Sequence, residues 1–187
     1  MKASVFGRFL MVAALLGGAG IAGAADRKAP PTFHSEADMV KAVRHAILMY
    51  PRYSMFDDVN FQVDNGTVRL VGEVTQPFKK SDIAANVRHA VGADRVQDDI
   101  RVLPLSPNDA RLRLQVAHLI YSDPSMTKYA IQAIKPIHII VENGHVTLDG
   151  MVATSYDKQI AGLRADRAMS FGKVVNNLQV ENPSKKS

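Results

Sequence analysis

The strongest constraint on the fold is a repeat. Shifting the chain by 78 residues lays residues 63–74 (VDNGTVRLVGEV) on residues 141–152 (VENGHVTLDGMV), and seven of these twelve positions are identical. The same gapless shift puts Ala90 on Ala168, and Val96, Ile100 and Val102 on Val174, Leu178 and Val180. A register kept this far means one structural unit occurring twice, the first thing to settle about any chain. The units run over 35–103 and 108–182, joined by a short, stiff linker at 104–107 (Pro-Leu-Ser-Pro). A linker of that kind should bring the two units into contact.

Each unit reads as helix, strand, strand, helix, strand. Ser35 with Asp38 three residues on resembles a capping box, and Val40, Val43, Ile47 and Tyr50 follow at helical spacing. In the second unit Ser106 can cap, Pro107 suits the first helical position, and Leu112, Val116, Leu119 and Ile120 form the stripe. Val59, Phe61 and Val63 alternate, as do Val68 and Leu70, and period two is the mark of a half-buried strand. Asn65-Gly66 and Asn143-Gly144 sit between strand pairs, where a type I′ hairpin needs positive φ at both positions. Gly72 and Gly150 stand alone within strands, which points to close backbone packing or a bulge. The second helices carry apolar faces at Ile83, Ala84, Val87, Ala90 and Val91, behind Ser81, and at Ile160, Ala161, Ala165, Ala168 and Met169.

A hairpin followed by a helix and a strand is a crossover, so the third strand should lie parallel to the second. With one apolar face per strand, both helices should cover the same side of the sheet. The expected fold class is α+β: two tandem αββαβ two-layer sandwiches, each a three-stranded mixed sheet under two helices.

The first residues carry an address. Lys2 and Arg8 precede the apolar run Phe9–Ala22, and Ala22-Gly23-Ala24 offers the small residues a signal peptidase reads. The run has fourteen residues, short of the roughly 20 a membrane span needs. Residues 1–24 therefore read as a cleaved signal peptide, 25–34 as a polar, proline-containing lead-in, and 183–187 as a tail. Periplasmic localisation is the expectation, with no nucleic acid as partner. Cleavage would lower the net charge of +5 by the two units of Lys2 and Arg8.

Chemistry is thinly supplied. There is no Cys, which excludes a thiol nucleophile, a disulfide scaffold and Cys-ligated metal. The six histidines, His34, His45, His89, His118, His138 and His145, show no ligand spacing. Asp57-Asp58 and Asp98-Asp99 are adjacent carboxylates; neighbours on a strand or turn point apart, so they read as solvated loop residues and not as a catalytic pair. No P-loop, dinucleotide fingerprint or nucleophile elbow occurs. The expectation is no enzyme, no cofactor, no metal and no small-molecule substrate.

The hairpin V-x-N-G-x-V-x-L-x-G-x-V, the Ala-rich helix and the ending Val174-Val175-Asn176-Asn177-Leu178-Gln179-Val180 together resemble the BON domain (bacterial OsmY and nodulation). The carriers are Val63, Asn65, Gly66, Val68, Leu70, Gly72 and Val74, with their partners at 141–152. A signal segment followed by two such units is similar to the OsmY-type members. The motif is a folding motif and speaks weakly for activity. Gly92-Ala93-Asp94-Arg95 and Phe171-Gly172-Lys173 stand where the family commonly has Gly-Val before the last strand. The first unit also has Gln97-Asp98-Asp99 where the second has Val175-Asn176-Asn177, so the first has diverged further.

The resemblance implies phospholipid contact in the cell envelope. Basic residues beside tyrosines at the ends of the first helices fit it: Arg44, Tyr50, Arg52 and Tyr53 in the first unit, and Arg111, Arg113, Tyr121, Lys128 and Tyr129 in the second. The same aromatics also suit plugs beneath the hairpin, with the arginines solvated, and the sequence leaves both readings open. The partner expected is an anionic membrane surface or an envelope protein, in a role supporting envelope integrity or osmotic and stress tolerance. The rival is a soluble periplasmic chaperone or adaptor without lipid affinity, which an apolar groove between the units would favour. A hydrolase or metal-dependent enzyme is a distant alternative, and the oligomeric state stays open.

Overall fold

The computed structural model describes residues 32–33, 35–169 and 172–181; the signal segment, most of the lead-in, His34 and the tail 183–187 lie outside the described residues. The first unit consists of α1 (Glu36–Leu48), β1 (Asp58–Asp64), β2 (Thr67–Val74), α2 (Pro77–Val91) and β3 (Val96–Val102). The second consists of α3 (Pro107–Tyr121), a short α4 (Thr127–Ala130), β4 (Ile137–Glu142), β5 (His145–Val152), α5 (Ser155–Arg167), β6 (Val174–Asn176) and β7 (Gln179–Val180).

Both sheets have the expected topology. β1 pairs antiparallel with β2, and β3 lies parallel to β2; β4, β5 and β6 repeat the pattern, with β7 continuing on β5. The last strand of the second unit is broken at Asn177-Leu178, where the first has one continuous strand. The Asn177 N–H still donates to the Leu148 carbonyl (2.8 Å), so the break shifts the ladder without ending it.

Local chemistry explains the elements. Ser35 Oγ accepts from the Asp38 N–H (3.2 Å), Ser106 Oγ from the Asp109 N–H (3.1 Å), and Thr154 with Asp157 forms a full reciprocal capping box on α5. α2 begins at Pro77, four residues before Ser81, whose hydroxyl instead donates back to the Pro77 carbonyl. The turns have φ of 49° and 77° at Asn65-Gly66, and 53° and 77° at Asn143-Gly144. Each unit has its own core. Val43, Ile47, Val68, Leu70, Ile83 and Val87 centre the first; Val116, Ile120, Ile139, Leu148, Ala161 and Leu178 centre the second. On α1 the inner stripe uses Met39, and Val40 faces partly outward.

The 78-residue offset does not extend to the first helices. Their caps, Ser35 and Ser106, and their closing tyrosines, Tyr50 and Tyr121, repeat at 71 residues. The seven extra residues lie between α3 and β4: Ser54-Met55 and Ser125-Met126 still keep the 71-residue spacing, so the insertion falls after Met126 and before Pro136.

Gly72 and Gly150 have φ of 116°, and a Cβ there would overlap the carbonyl oxygens of Asp58 and Pro136. Gly66 is in open space. Gly72→Ala and Gly150→Ala should each cost at least about 2 kcal/mol in urea unfolding, and Gly66→Ala about 1 kcal/mol. Equal losses at all three positions would contradict the packing role.

Candidate functional site

Each unit is tied together by a buried aspartate, and the two ties have opposite polarity. In the first unit Asp57 is fully buried. Its carboxylate accepts from the Ser54 N–H and hydroxyl (3.0 and 2.6 Å), the Thr75 N–H and hydroxyl (2.9 and 2.8 Å) and the Lys79 ammonium (2.6 Å). In the second unit the position matching Lys79 is Asp157. Asp157 accepts from Lys128 (2.8 Å), the Tyr129 hydroxyl (2.9 Å) and the Thr154 N–H and hydroxyl (3.1 and 2.7 Å). The acid sits before the first strand in one unit and on the second helix in the other. The backbone N–H at matching positions Thr75 and Ala153 is satisfied either way, by Asp57 in one unit and by the Tyr129 hydroxyl in the other (2.6 Å). The reading of Asp57 as a solvated loop residue is therefore corrected: a buried carboxylate needs this many donors to stay charged. Asp98 and Asp99 are not simply solvated either; Asp98 accepts from the Ile100 N–H (3.1 Å) and Asp99 from Arg69 (2.6 Å).

Two further acids hold the second unit. Asp109, on the first turn of α3, accepts the Asn143 and Gly144 N–H groups (3.0 and 2.9 Å) and so fixes the hairpin turn. Asp123 binds the Ser125 N–H and hydroxyl and Arg164 (2.6 Å), which together hold its carboxyl at about 2. Sequence reasoning missed both. Their signals were an acid at the third helical position, and Asp-x-Ser after a helix end.

The segment carrying Asp57 also joins the units. Met55 and Phe56 pack against the second core, and the Met55 carbonyl accepts from the Ile139 N–H on the outer edge of β4 (2.7 Å). His138 Nδ1 lies 2.6 Å from the Asp57 carbonyl, which fixes the proton on Nδ1, since a carbonyl only accepts. The His138 ring is 5.7 Å from that of Tyr53. Arg101 of β3 reaches both Glu73 (2.8 Å) and Glu142 (3.4 Å).

Beside this junction the units enclose a cleft of about 710 Å³. Val40, Arg44 and Leu48 of α1 form one wall, and the edge of β1 from Asp58 to Val63 forms the floor. Asp149, Met151, Asn177 and Gln179 of the second unit, with Ile134–Pro136, face them. A groove between the units is present, but its lining mixes polar and apolar residues, where the adaptor reading expected an apolar one.

The expected contact residues divide between surface and interior. Arg44, Arg52 and Arg111 are exposed, with the Arg52 guanidinium 5.2 Å over the Phe78 ring. Tyr50 is buried in the first core, its hydroxyl donating to Asp82 (2.7 Å), and Tyr129 is buried in the second. Tyr121, half-buried, donates to the Ile137 carbonyl (3.0 Å); half-buried Tyr53 accepts from the Val59 N–H (3.2 Å). Lys128 lies across the Tyr129 ring and is paired with Asp157. Arg113 is buried: its Nη2 donates to the Val141 carbonyl (2.7 Å) and its Nε has no hydrogen-bond partner. A strand-edge carbonyl needed a donor, and a long arginine on α3 reaches it. As placed, Tyr50, Arg113 and Tyr129 offer no surface to a membrane. Among the described residues no helix is long and apolar enough to cross one.

Lys79→Met would leave Asp57 buried without its countercharge. It should cost about 3 kcal/mol or more in urea unfolding; a loss below about 1 kcal/mol would contradict the tie.

Stability should also respond to acid. Burial alone would raise Asp57 and Asp157, but hydrogen bonds from Lys79, Ser54 and Thr75, and from Lys128, Thr154 and Tyr129, bring both below the ordinary range; Asp123 lies lower too. Their stabilisation is complete above the unfolded value near about 3.9 and is lost as pH falls through the folded values. Asp58, pushed up by burial, works in the opposite direction but alone. The unfolding free energy should therefore fall from about pH 4 towards pH 2, and a flat profile there would contradict the assignment.

The BON domain family model matches residues 35–104 and 108–182. No curated protein matches the chain. Among solved structures, the chain is similar to the C-terminal domain of CdsD, the structural protein of the Type III secretion system of Chlamydia trachomatis. Identity is 12% over 79% of this chain and all of that one, with a TM-score of 0.28. A second CdsD structure covers 79% of this chain and 95% of its own at 13% identity and a TM-score of 0.27. The two family matches each span one complete αββαβ unit, and the chain belongs to the BON domain family, as a tandem pair.

Proposed function

We propose that this is a non-catalytic, exported envelope protein that binds anionic phospholipid and supports envelope integrity under osmotic or related stress. The observation that carries the reading is the insertion between α3 and β4. It presents Ile131, 80% exposed, and Ile134, 42% exposed. The Lys135 ammonium closes the neck of this loop on the Ala130 and Gln132 carbonyls (2.7 and 2.5 Å). Apolar side chains at a loop tip above a lysine suit a headgroup–acyl boundary. A fully buried isoleucine contributes roughly 1.5–3 kcal/mol, and each basic residue near an anionic surface about 1 kcal/mol. Binding of that size is reversible and weakens with salt. Exposed Arg44, Arg52 and Arg111 supply further charge. The BON domain is a non-catalytic family associated with phospholipid contact and with envelope and osmotic stress proteins, which supports the same reading. Periplasmic localisation, through removal of residues 1–24, is part of the proposal.

A second reading has its own support. The cleft between the units suits an adaptor or chaperone without lipid affinity.

Co-sedimentation with phosphatidylglycerol vesicles and with neutral phosphatidylcholine vesicles, across a salt series, separates the two. The membrane reading expects binding to the anionic vesicles alone, falling with salt, and at least a fivefold loss for Ile131→Ser with Ile134→Ser. Absence of binding to either vesicle would overturn it in favour of the adaptor.

A further inference from the structure

The two units treat the same sheet edge differently. In the second, the outer edge of β4 is closed: the Ile139 N–H meets the Met55 carbonyl and the Val141 carbonyl meets Arg113, both at 2.7 Å. The matching positions in the first unit, 78 residues earlier, are Phe61 and Val63 of β1. The Asp64–Thr67 pair closes the two-residue turn, so the register aims the backbone groups of Val59, Phe61 and Val63 away from β2. The Val59 N–H finds the Tyr53 hydroxyl. Among the described residues nothing meets the Phe61 N–H or the Val63 carbonyl. Ala42 stands seven residues after its helix cap, where the other unit has Arg113.

We propose that the cleft takes an extended polypeptide segment of a partner protein, paired through its backbone to the outer edge of β1 and carrying a lysine or arginine for Asp58 and Asp149. An open strand edge beside a helix is a template for one more strand. The free donor and acceptor here alternate along the edge, about 7 Å apart, and an extended backbone reproduces that spacing where a phospholipid headgroup does not. The molecule supplies its own precedent: backbone from one unit, at Met55, closes this edge of the other.

The charge comes from the acids. Asp58 and Asp149 both border the cleft, and neither has an ion-pair partner among the described residues. Burial pushes the Asp58 carboxyl up, Asp149 and Glu73 push it further, and His138 opposes them. A cation placed there relieves the strain. Two cations also border the cleft: the Lys135 ammonium is already held by the Ala130 and Gln132 carbonyls, and exposed Arg44 lies on the α1 wall. Half-exposed Met151 and partly exposed Val40 offer apolar contact to alternate side chains of the segment. This inference rests on the adaptor reading of the cleft, which shares Arg44, Ile134 and Lys135 with the surface of the membrane reading.

The test uses the purified, isotope-labelled full chain and a capped seven-residue probe of alternating valine and threonine with a central lysine. Saturable binding is expected, with at least tenfold slower hydrogen exchange at the Phe61 and Val63 amides. A probe with central glutamate should bind at least fivefold more weakly, and one N-methylated at alternate residues not at all. Val40→Gln, which lengthens a neutral side chain into the groove from a partly exposed helix position, should weaken binding at least tenfold and leave vesicle binding unchanged. The proposal is overturned by no saturable binding, by binding that survives N-methylation, or by unchanged exchange at Phe61 and Val63. Probe binding by a protein that ignores vesicles would overturn the membrane reading alone.

Discussion

The Asp57 carboxylate is where the folding of the first unit and the joining of the two units meet. A fully buried carboxylate persists only if its lone pairs and its charge are answered. Ser54, Thr75 and Lys79 answer them, and in doing so pin the chain between α1 and β1 in one shape. That shape turns Met55 and Phe56 towards the second core and offers the Met55 and Asp57 carbonyls to Ile139 and His138. The junction follows from a polar tie that lies wholly inside one unit. The cleft beside it follows in turn, since its two walls come from different units.

The repeat has kept the job and exchanged the parts. Lys79 and Asp157 occupy matching helix positions with opposite charge, and their partners, Asp57 and Lys128, lie on the segments before the first strands. What is retained is a neutralised pair at the helix start and a partner for the N–H of Thr75 or Ala153. The sheet edge shows the opposite case. There the parts were closed in one unit, through Arg113 and Met55, and left open in the other. Divergence between copies of one fold can separate a structural edge from a binding edge in this way.

Most of the architecture was legible because it is local. Alternation at Val59, Phe61 and Val63, the Asn-Gly turns and the lone glycines each act within a few residues, and the gapless shift carried them to the second unit. Asp57 was misread because its burial depends on Lys79 and Thr75, 22 and 18 residues away, and an adjacent acid made it look solvated. Arg113 was misread because nothing in its own helix announces the β4 carbonyl that it serves. The exposed isoleucines went unnoticed because they lie in an insertion without a counterpart in the first unit, so the repeat does not point to them. For Asp57 and Arg113 the deciding contact is between residues far apart in the chain, which no period or cap encodes.

Two neighbouring surfaces result, the isoleucine-bearing insertion and the cleft along β1, beside a junction made by Met55, Asp57 and Arg101. The most direct test of that junction is residue-resolved amide hydrogen exchange on the full chain at neutral pH. Ile139, whose N–H meets Met55 across the units, should exchange slowly, and Phe61, at the matching position of the open edge, quickly. Asp57→Asn should release Ile139 while Leu148, in the centre of the second sheet, stays protected. Equal exchange at Ile139 and Phe61 in the unaltered protein would contradict the account.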